Sequence, residues 1–282
     1  MAVSTSPQRT YRYLRIGIAG TVVVIFVGVG IATAQVGVLT SISDYYYTPA
    51  RSTFVGALVA ASLALFALSG RGSQRILLDA AALFAPLIAL IPTTLAPTTV
   101  PDVVIPCRFR CFPPEYEAEA ATGIMTYLLV GAIAVFVVLI LAGLRQVPIG
   151  AVAISLTLTV GVLVTLGIGW AWVPEFVLAQ GHFIATIAFF GLFALVAIRN
   201  AFPRRGMKPR PVYRDMYVLI AVLLVLTLVA YGAIEGSGVA ERSDVPFVLL
   251  AEVAALVLFF LFWVTQCAEL WNEEDPRTLI AR

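Results

Sequence analysis

Charge is what this sequence has least of. Asp, Glu, Lys and Arg make up 12% of its 282 residues, where a soluble domain carries about 25%. So few charges cannot cover a solvated surface, which excludes soluble globular and disordered classes. The 18 Lys and Arg against 16 Asp and Glu leave a formal charge of +2. No basic field exists to hold nucleic acid, so no nucleic-acid partner is expected. Only three cysteines are present, too few for a disulfide-framework protein. The single histidine, His182, excludes a three-His zinc site and the paired-His zincin pattern. There is no Gly-x-x-x-x-Gly-Lys phosphate loop and no Gly-x-Ser-x-Gly elbow, so ATP is not the driver and no cofactor or metal is expected.

What remains is hydrophobic length. Hydrophobic residues make up 61% of the chain. A bilayer core of about 30 Å is crossed by about 20 apolar helical residues. In lipid the backbone must satisfy its own hydrogen bonds, so long apolar runs become helices. Eight runs qualify, at about 16–38, 53–69, 76–96, 121–143, 148–170, 176–198, 215–234 and 246–268. The second is short. Either it begins earlier, within 45–52, or the bilayer thins around it. A β-barrel would need alternating segments, which continuous runs such as 130–141 contradict. The expected fold is an all-α polytopic bundle of about eight transmembrane helices, with residues 1–282 forming one membrane domain. The first run is longer than a signal-peptide core, so no cleavage is expected, although Ala-Thr-Ala at 32–34 imitates a cleavage site.

Lys and Arg in the loops set the orientation. One set of loops carries fourteen: Arg9, Arg12, Arg15, Arg71, Arg75, Arg145, the six bases between 199 and 214, Arg277 and Arg282. The opposite set carries Arg51, Arg108, Arg110 and Arg242. Both termini are therefore expected in the cytoplasm of a plasma membrane, as an even number of spans also requires. Tyr11, Tyr13, Tyr213, Tyr217, Trp263 and Trp271 fall near inner ends, and Tyr45, Tyr46, Tyr47, Trp170 and Trp172 near outer ends. These residues favour the headgroup zone. The Ala- and Val-rich composition suits a bacterial source.

The largest non-membrane segments are an outer loop at about 96–120 and a basic inner loop at about 199–214. The outer loop holds Pro101, Pro106, Pro113 and Pro114, which forbid a regular helix. Glu115, Glu117 and Glu119 follow, where carboxylates complement a helix N-terminus. Cys107 and Cys111 are four apart in this loop. Facing an oxidising space, they are candidates for a local disulfide that pins the loop. Cys267 reads as a buried thiol. The inner loop's bases set topology and lie against anionic lipid. The Asn272-Glu-Glu-Asp tail reads as a solvated end. Gly28 with Ala32, Gly56 with Ala60, and Gly232 with Gly236 have the spacing of close helix contacts.

Ionisable residues at membrane depth need partners. Asp79 reads as structural, paired with Arg71 or Arg75. Spans four and five carry no ionisable Asp, Glu, Lys, Arg or His, which argues against a continuous ion path. The outer half is richer. His182 and Glu252 each lie about two helical turns below an outer helix end, Tyr231 and Glu235 end span seven, and Asp44 and Arg51 flank Tyr45–Tyr47. Arg51, at a helix N-terminus, seeks Asp44, Glu235, Glu252 or a lipid headgroup. Together Asp44, Tyr45, Tyr46, Arg51, His182, Tyr231, Glu235 and Glu252 outline a polar outer-leaflet pocket. In it Glu252 and His182 form a buried acid–base pair and the tyrosines a rim. The competing reading is that these groups bridge helices.

Three functions follow. The first is non-enzymatic binding of a membrane lipid, or of a membrane protein partner, through the pocket. The second is a proton-coupled or lipid-handling carrier using Glu252. The third is a lipid hydrolase in which Ser41 or Ser43, Asp44 and His182 make a triad.

The stretch Ser41-Ile-Ser-Asp-Tyr-Tyr-Tyr-Thr-Pro-Ala-Arg51, followed by Phe54-Val-Gly-Ala-Leu58, resembles a signature of bacterial polytopic membrane proteins filed under a domain of unknown function and loosely compared with Frag/DRAM-type proteins. Gly181-His182-Phe183 leading to Phe189-Phe190, and Leu250-Ala-Glu252 leading to Phe262-Trp263, are similar too. Span three and the Cys-bearing loop depart from that pattern. The resemblance implies a multi-span helical bundle and no particular activity.

Overall fold

The structure is a computed structural model that describes residues 6–68, 73–203, 208–238, 243 and 245–271. Expectations for Arg71, Arg204, Arg205, Arg242, the 272–275 tail, Arg277 and Arg282 fall outside these residues. Eight long helices make up the fold: α1 Ser6–Val36, α2 Arg51–Leu68, α3 Ser73–Leu90, α4 Glu117–Gly143, α5 Ile149–Trp172, α6 Pro174–Ala201, α7 Pro211–Ser237 and α8 Phe247–Glu269. No strand is present among the described residues. All of these helices except α3 are long and apolar enough to cross a membrane. That fits a multi-pass membrane protein.

Six helices close a ring in the order α1, α2, α3, α6, α7, α8 and back to α1. The α4–α5 hairpin lies outside it, against α3 and α6. This explains the uncharged spans four and five. They are the least buried helices, and a face turned to lipid has no partner for a charge. The ring interior is aromatic. Phe193 is fully buried, with ring centroids 4.5 Å from Phe259, 5.0 Å from Phe262 and 5.8 Å from Trp263. Tyr217 and Trp263, expected in the headgroup zone, are fully buried core residues instead. Tyr217 donates to Glu269 at 2.5 Å. Cys267 is a free thiol and only partly buried.

Two boundaries differ from expectation. Helix α1 begins ten residues before its apolar run, because polar residues extend a helix once it leaves the hydrocarbon. Helix α3 stops at Leu90 instead of continuing to 96, since Pro92 brings no N–H to the ladder. Pro86 lies inside α3 and would orphan the carbonyl of Ala82 four residues earlier. Ser62 of α2 donates to that carbonyl at 2.7 Å, and Tyr127 of α4 donates to the Leu83 carbonyl at 3.0 Å. Asp79 pairs with Arg75 at 3.4 Å and accepts from Ser155 of α5 at 2.7 Å. Of the small-residue pairs, only Gly28 marks a close approach: a Cβ there would stand 2.8 Å from Thr53 Cγ2. A Cβ on Gly56, Gly232 or Gly236 would meet open space.

The bundle has two distinct ends. One gathers the start of α1 and the end of α8, where Arg15 donates to the Leu270 carbonyl at 3.2 Å. The other, the loop end, carries the 37–50 segment and the long loop from Ile91 to Pro113. Cys107 and Cys111 are joined there by a disulfide with Cα atoms 6.3 Å apart. Leu95 and Cys111 exchange backbone hydrogen bonds at 3.0 Å, so the loop folds back over the bundle. A 3₁₀ turn, Pro114–Tyr116, then leads into α4.

Candidate functional site at the loop end of the bundle

The site is built around the segment that links α1 to α2. Gly37 ends α1 with φ of +86°, a region open to glycine at no steric cost. The chain then turns across the ring and forms a 3₁₀ turn over Ser43–Tyr47. The Leu249 N–H of α8 donates to the Thr40 carbonyl at 2.9 Å, which ties this segment to the start of α8.

That tie brings Glu252 beneath residues 41–43. Its Oε2 accepts from the Ser41 hydroxyl at 2.7 Å and from the Ile42 N–H at 2.6 Å. Its Oε1 accepts from the Ser43 hydroxyl at 2.8 Å. The Ser43 N–H in turn donates to Ser41 Oγ at 2.9 Å. His182 of α6 approaches from the other side. Its Nε2 is 2.8 Å from Ser43 Oγ, and its Nδ1 is 2.9 Å from the Ile91 carbonyl. The early end of α3 explains that partner. The Leu95 N–H, which a continued helix would give to Ile91, goes instead to Cys111. His182 and Glu252 are both buried. They belong to one cluster, with Ser43 between them.

Proton counting constrains this chain of contacts. A carbonyl only accepts, so Nδ1 carries a hydrogen. The two contacts at Ser43 Oγ then need two hydrogens, and the hydroxyl supplies one. The other sits on His182 Nε2 or on Glu252. The pair is thus net neutral, either as imidazolium with carboxylate or as imidazole with carboxylic acid. Burial demands such neutrality. The order also differs from a serine-hydrolase triad, in which the imidazole stands between serine and carboxylate. Here the serine stands in the middle.

Above this cluster lies a cavity of about 700 Å³. Ser41, Thr93, Thr94, Arg110, Glu117, Glu175, His182, Phe183, Tyr231 and Glu235 contribute to its wall. Its size falls within the usual range for ligand sites. Arg110 donates to the Thr94 carbonyl at 2.7 Å, while its Nε is buried without a partner. Tyr231 is buried, and its ring lies 5.3 Å from that of Phe183. Ser43 and Glu252 face away, into a void of about 50 Å³ together with the unpartnered hydroxyl of Thr186.

His182, Tyr231 and Glu235 thus line the cavity, and Glu252 lies directly beneath it. The other expected members are placed differently. Arg51 is not in the cavity wall. It pairs with Glu119 of α4, donates to the Tyr46 hydroxyl at 3.0 Å, and stacks 4.5 Å from the Tyr46 ring centroid and 5.5 Å from that of Tyr116. Its helix position did call for a carboxylate, but the helix beside it is α4, so Asp44, Glu235 and Glu252 are not the partner. Tyr45, Tyr46 and Tyr47 form no rim. All three are buried, because the 3₁₀ turn folds them inward. Tyr45 shares a hydrogen bond with Thr33 at 2.6 Å, and Tyr47 donates to the Thr93 carbonyl at 2.5 Å.

Asp44 is fully buried, accepts from Thr40 at 2.6 Å and leaves Oδ1 without a partner. Burial pushes its carboxyl up to about 6, with Arg110 and Thr40 opposing the shift. Sequence reasoning missed Arg110, Glu117 and Glu175 as wall residues. Their signal was weak, since a loop base and helix-start carboxylates look alike wherever they point. Among the described residues no cluster of three or more His, Cys, Asp or Glu side chains could hold a metal ion.

The site and fold define a class: an all-helical, multi-pass type of bundle that places a buried His–Ser–Glu chain beneath a polar cavity. Comparison with protein-family models, with curated proteins and with solved structures finds no match.

Proposed function

We propose that this protein is a plasma-membrane protein, with both termini cytoplasmic, that binds a membrane lipid through the cavity at its loop end. The cavity then opens to the outer leaflet. One observation carries the reading. A space of about 700 Å³ is walled by charged and aromatic side chains, among them Arg110, Glu117, Glu175, Glu235, Phe183 and Tyr231. Bundle packing alone accounts for the Ser41–Ser43 grip on Glu252, but not for a polar cavity above it. A bacterial source and the Frag/DRAM-type resemblance belong to the same reading, and a membrane protein partner remains the other occupant of this face. The test is lipid retention. The purified full chain should carry lipid that Arg110→Gln reduces, whereas Arg51→Gln, outside the cavity, should leave it in place. Equal retention by all three proteins contradicts the reading.

A second reading, a proton-coupled carrier, is favoured by the proton shared along His182, Ser43 and Glu252. One end of that chain, His182, touches the cavity and the other faces the void at Thr186. Substrate flux in liposomes that falls with Glu252→Gln supports a carrier. The hydrolase reading is weaker, because Ser43 lies behind the cavity wall and already serves two partners, while Ser41, on the wall, donates its hydroxyl to Glu252 and makes no hydrogen bond to His182 among the described residues. Turnover abolished by Ser43→Ala would revive it.

A further inference from the structure

The charge on the cavity wall says which lipid chemistry fits. Glu117, Glu175 and Glu235 stand against a single guanidinium, Arg110. A ligand that is only an anion would meet three carboxylates for one base. A ligand that is only a cation would meet the Arg110 guanidinium with like charge. The wall is bipolar, with acid in excess.

Tyr231 adds an independent observation. The residue is buried, with a relative exposure of 7%. It lines the cavity and makes no hydrogen bond within the described residues. Glu235 and Arg110 share the cavity wall with it. Phe183 packs beside it at 5.3 Å and also lines the cavity. A buried phenol, an aromatic face and a carboxylate together make a receptor for an alkylammonium. The carboxylate supplies charge and the rings supply their negative faces. Glu235, one turn beyond Tyr231 on α7, supplies the carboxylate.

We propose that the cavity binds an alkylammonium linked to a phosphate, as in an ethanolamine phospholipid headgroup. Glu235 and Tyr231 contact the ammonium, and Arg110 contacts the phosphate. This assignment rests on the lipid-binding reading above and adds its chemistry. Pairing opposite charges in a partly desolvated wall gives selectivity as well as affinity.

The test uses the full chain in detergent micelles and native mass spectrometry. The probes are dioleoyl phosphatidylethanolamine, dioleoyl phosphatidylglycerol and free O-phosphoethanolamine. Ethanolamine lipid should bind on the order of tenfold tighter than the glycerol lipid, the scale of one close charge pair. Glu235→Gln should abolish that preference while leaving the unfolding temperature without lipid unchanged, since Glu235 makes no hydrogen bond in the described residues. Tyr231→Phe should weaken ethanolamine lipid binding by a smaller factor and serves as a second, nearly isosteric check. Displacement by O-phosphoethanolamine would support the same chemistry with a soluble amine as its source. Displacement by lipid alone would support a lipid source. Preference for the glycerol lipid, or an unchanged preference in Glu235→Gln, overturns the ammonium assignment and leaves lipid binding standing. Binding of none of the probes overturns both.

Discussion

Glu252 accepts three hydrogen bonds from three consecutive residues, Ser41, Ile42 and Ser43. A carboxylate so gripped fixes where the 37–50 segment crosses the ring, and Ser43 passes that order on to His182. Replacing Glu252 by Ala removes the acceptor and leaves the Ser41 hydroxyl and the Ile42 N–H without their partner. An unsatisfied buried group costs about 1–3 kcal/mol, so Glu252→Ala should lower the unfolding free energy in detergent by at least that amount. No change would mean that the carboxylate is not structurally engaged. Asp44 gives a prediction with a sign. Its carboxyl is raised from 3.8 to about 6 in the folded protein, chiefly by burial. The groups facing it are Arg110, Thr40, Ser41 and Glu235. The stability contributed by its protonated form is complete below about pH 4 and is lost as pH rises through about 6. Relative to Asp44→Asn, the wild type should therefore lose stability between pH 4 and pH 7. A parallel pH dependence of the two proteins would contradict this.

At the scale of elements, Arg51 clamps the start of α2 to the start of α4. Glu119 is 51% exposed in its side chain, so solvent screens the pair. A double-mutant cycle on Arg51→Ala and Glu119→Ala should return a coupling of only about 0.2–1 kcal/mol. A larger coupling would mean that Tyr46 and Tyr116 shield the pair more than its exposure indicates. The rule that a cation at a helix N-terminus seeks an anion was legible in the sequence. Which anion answers was not, since that depends on which helix packs alongside. The Pro92 break shows the same limit. Proline forbids continuing α3, yet nothing local says that the freed Ile91 carbonyl will meet His182. The tyrosine triplet was misleading for a related reason: an aromatic run beside a span reads as an interface belt, and only the 3₁₀ turn folds it inward.

At the scale of the molecule, all eight apolar runs became helices, because backbone satisfaction in lipid leaves no other choice for continuous apolar segments. Their arrangement as a six-helix ring with an external α4–α5 hairpin was hidden, apart from the missing charges on spans four and five. His182 and Glu252 were placed at similar depth by helical rise alone, and Ser43 as their bridge required the fold. The bias of bases between loops predicts topology. A membrane-impermeant thiol reagent applied to intact cells should label a cysteine introduced at Gly236, in a Cys267→Ser background, but not one introduced at Thr5. The reverse pattern would invert the bundle and turn the cavity to the cytoplasm. The central claim is that the cavity at the loop end is a ligand site. A cryo-EM map of the full chain in nanodiscs of mixed phosphatidylethanolamine and phosphatidylglycerol tests it most directly. The account predicts headgroup density within contact distance of Tyr231 and Arg110. A cavity closed by side-chain packing, with both residues bonded to protein, would contradict it.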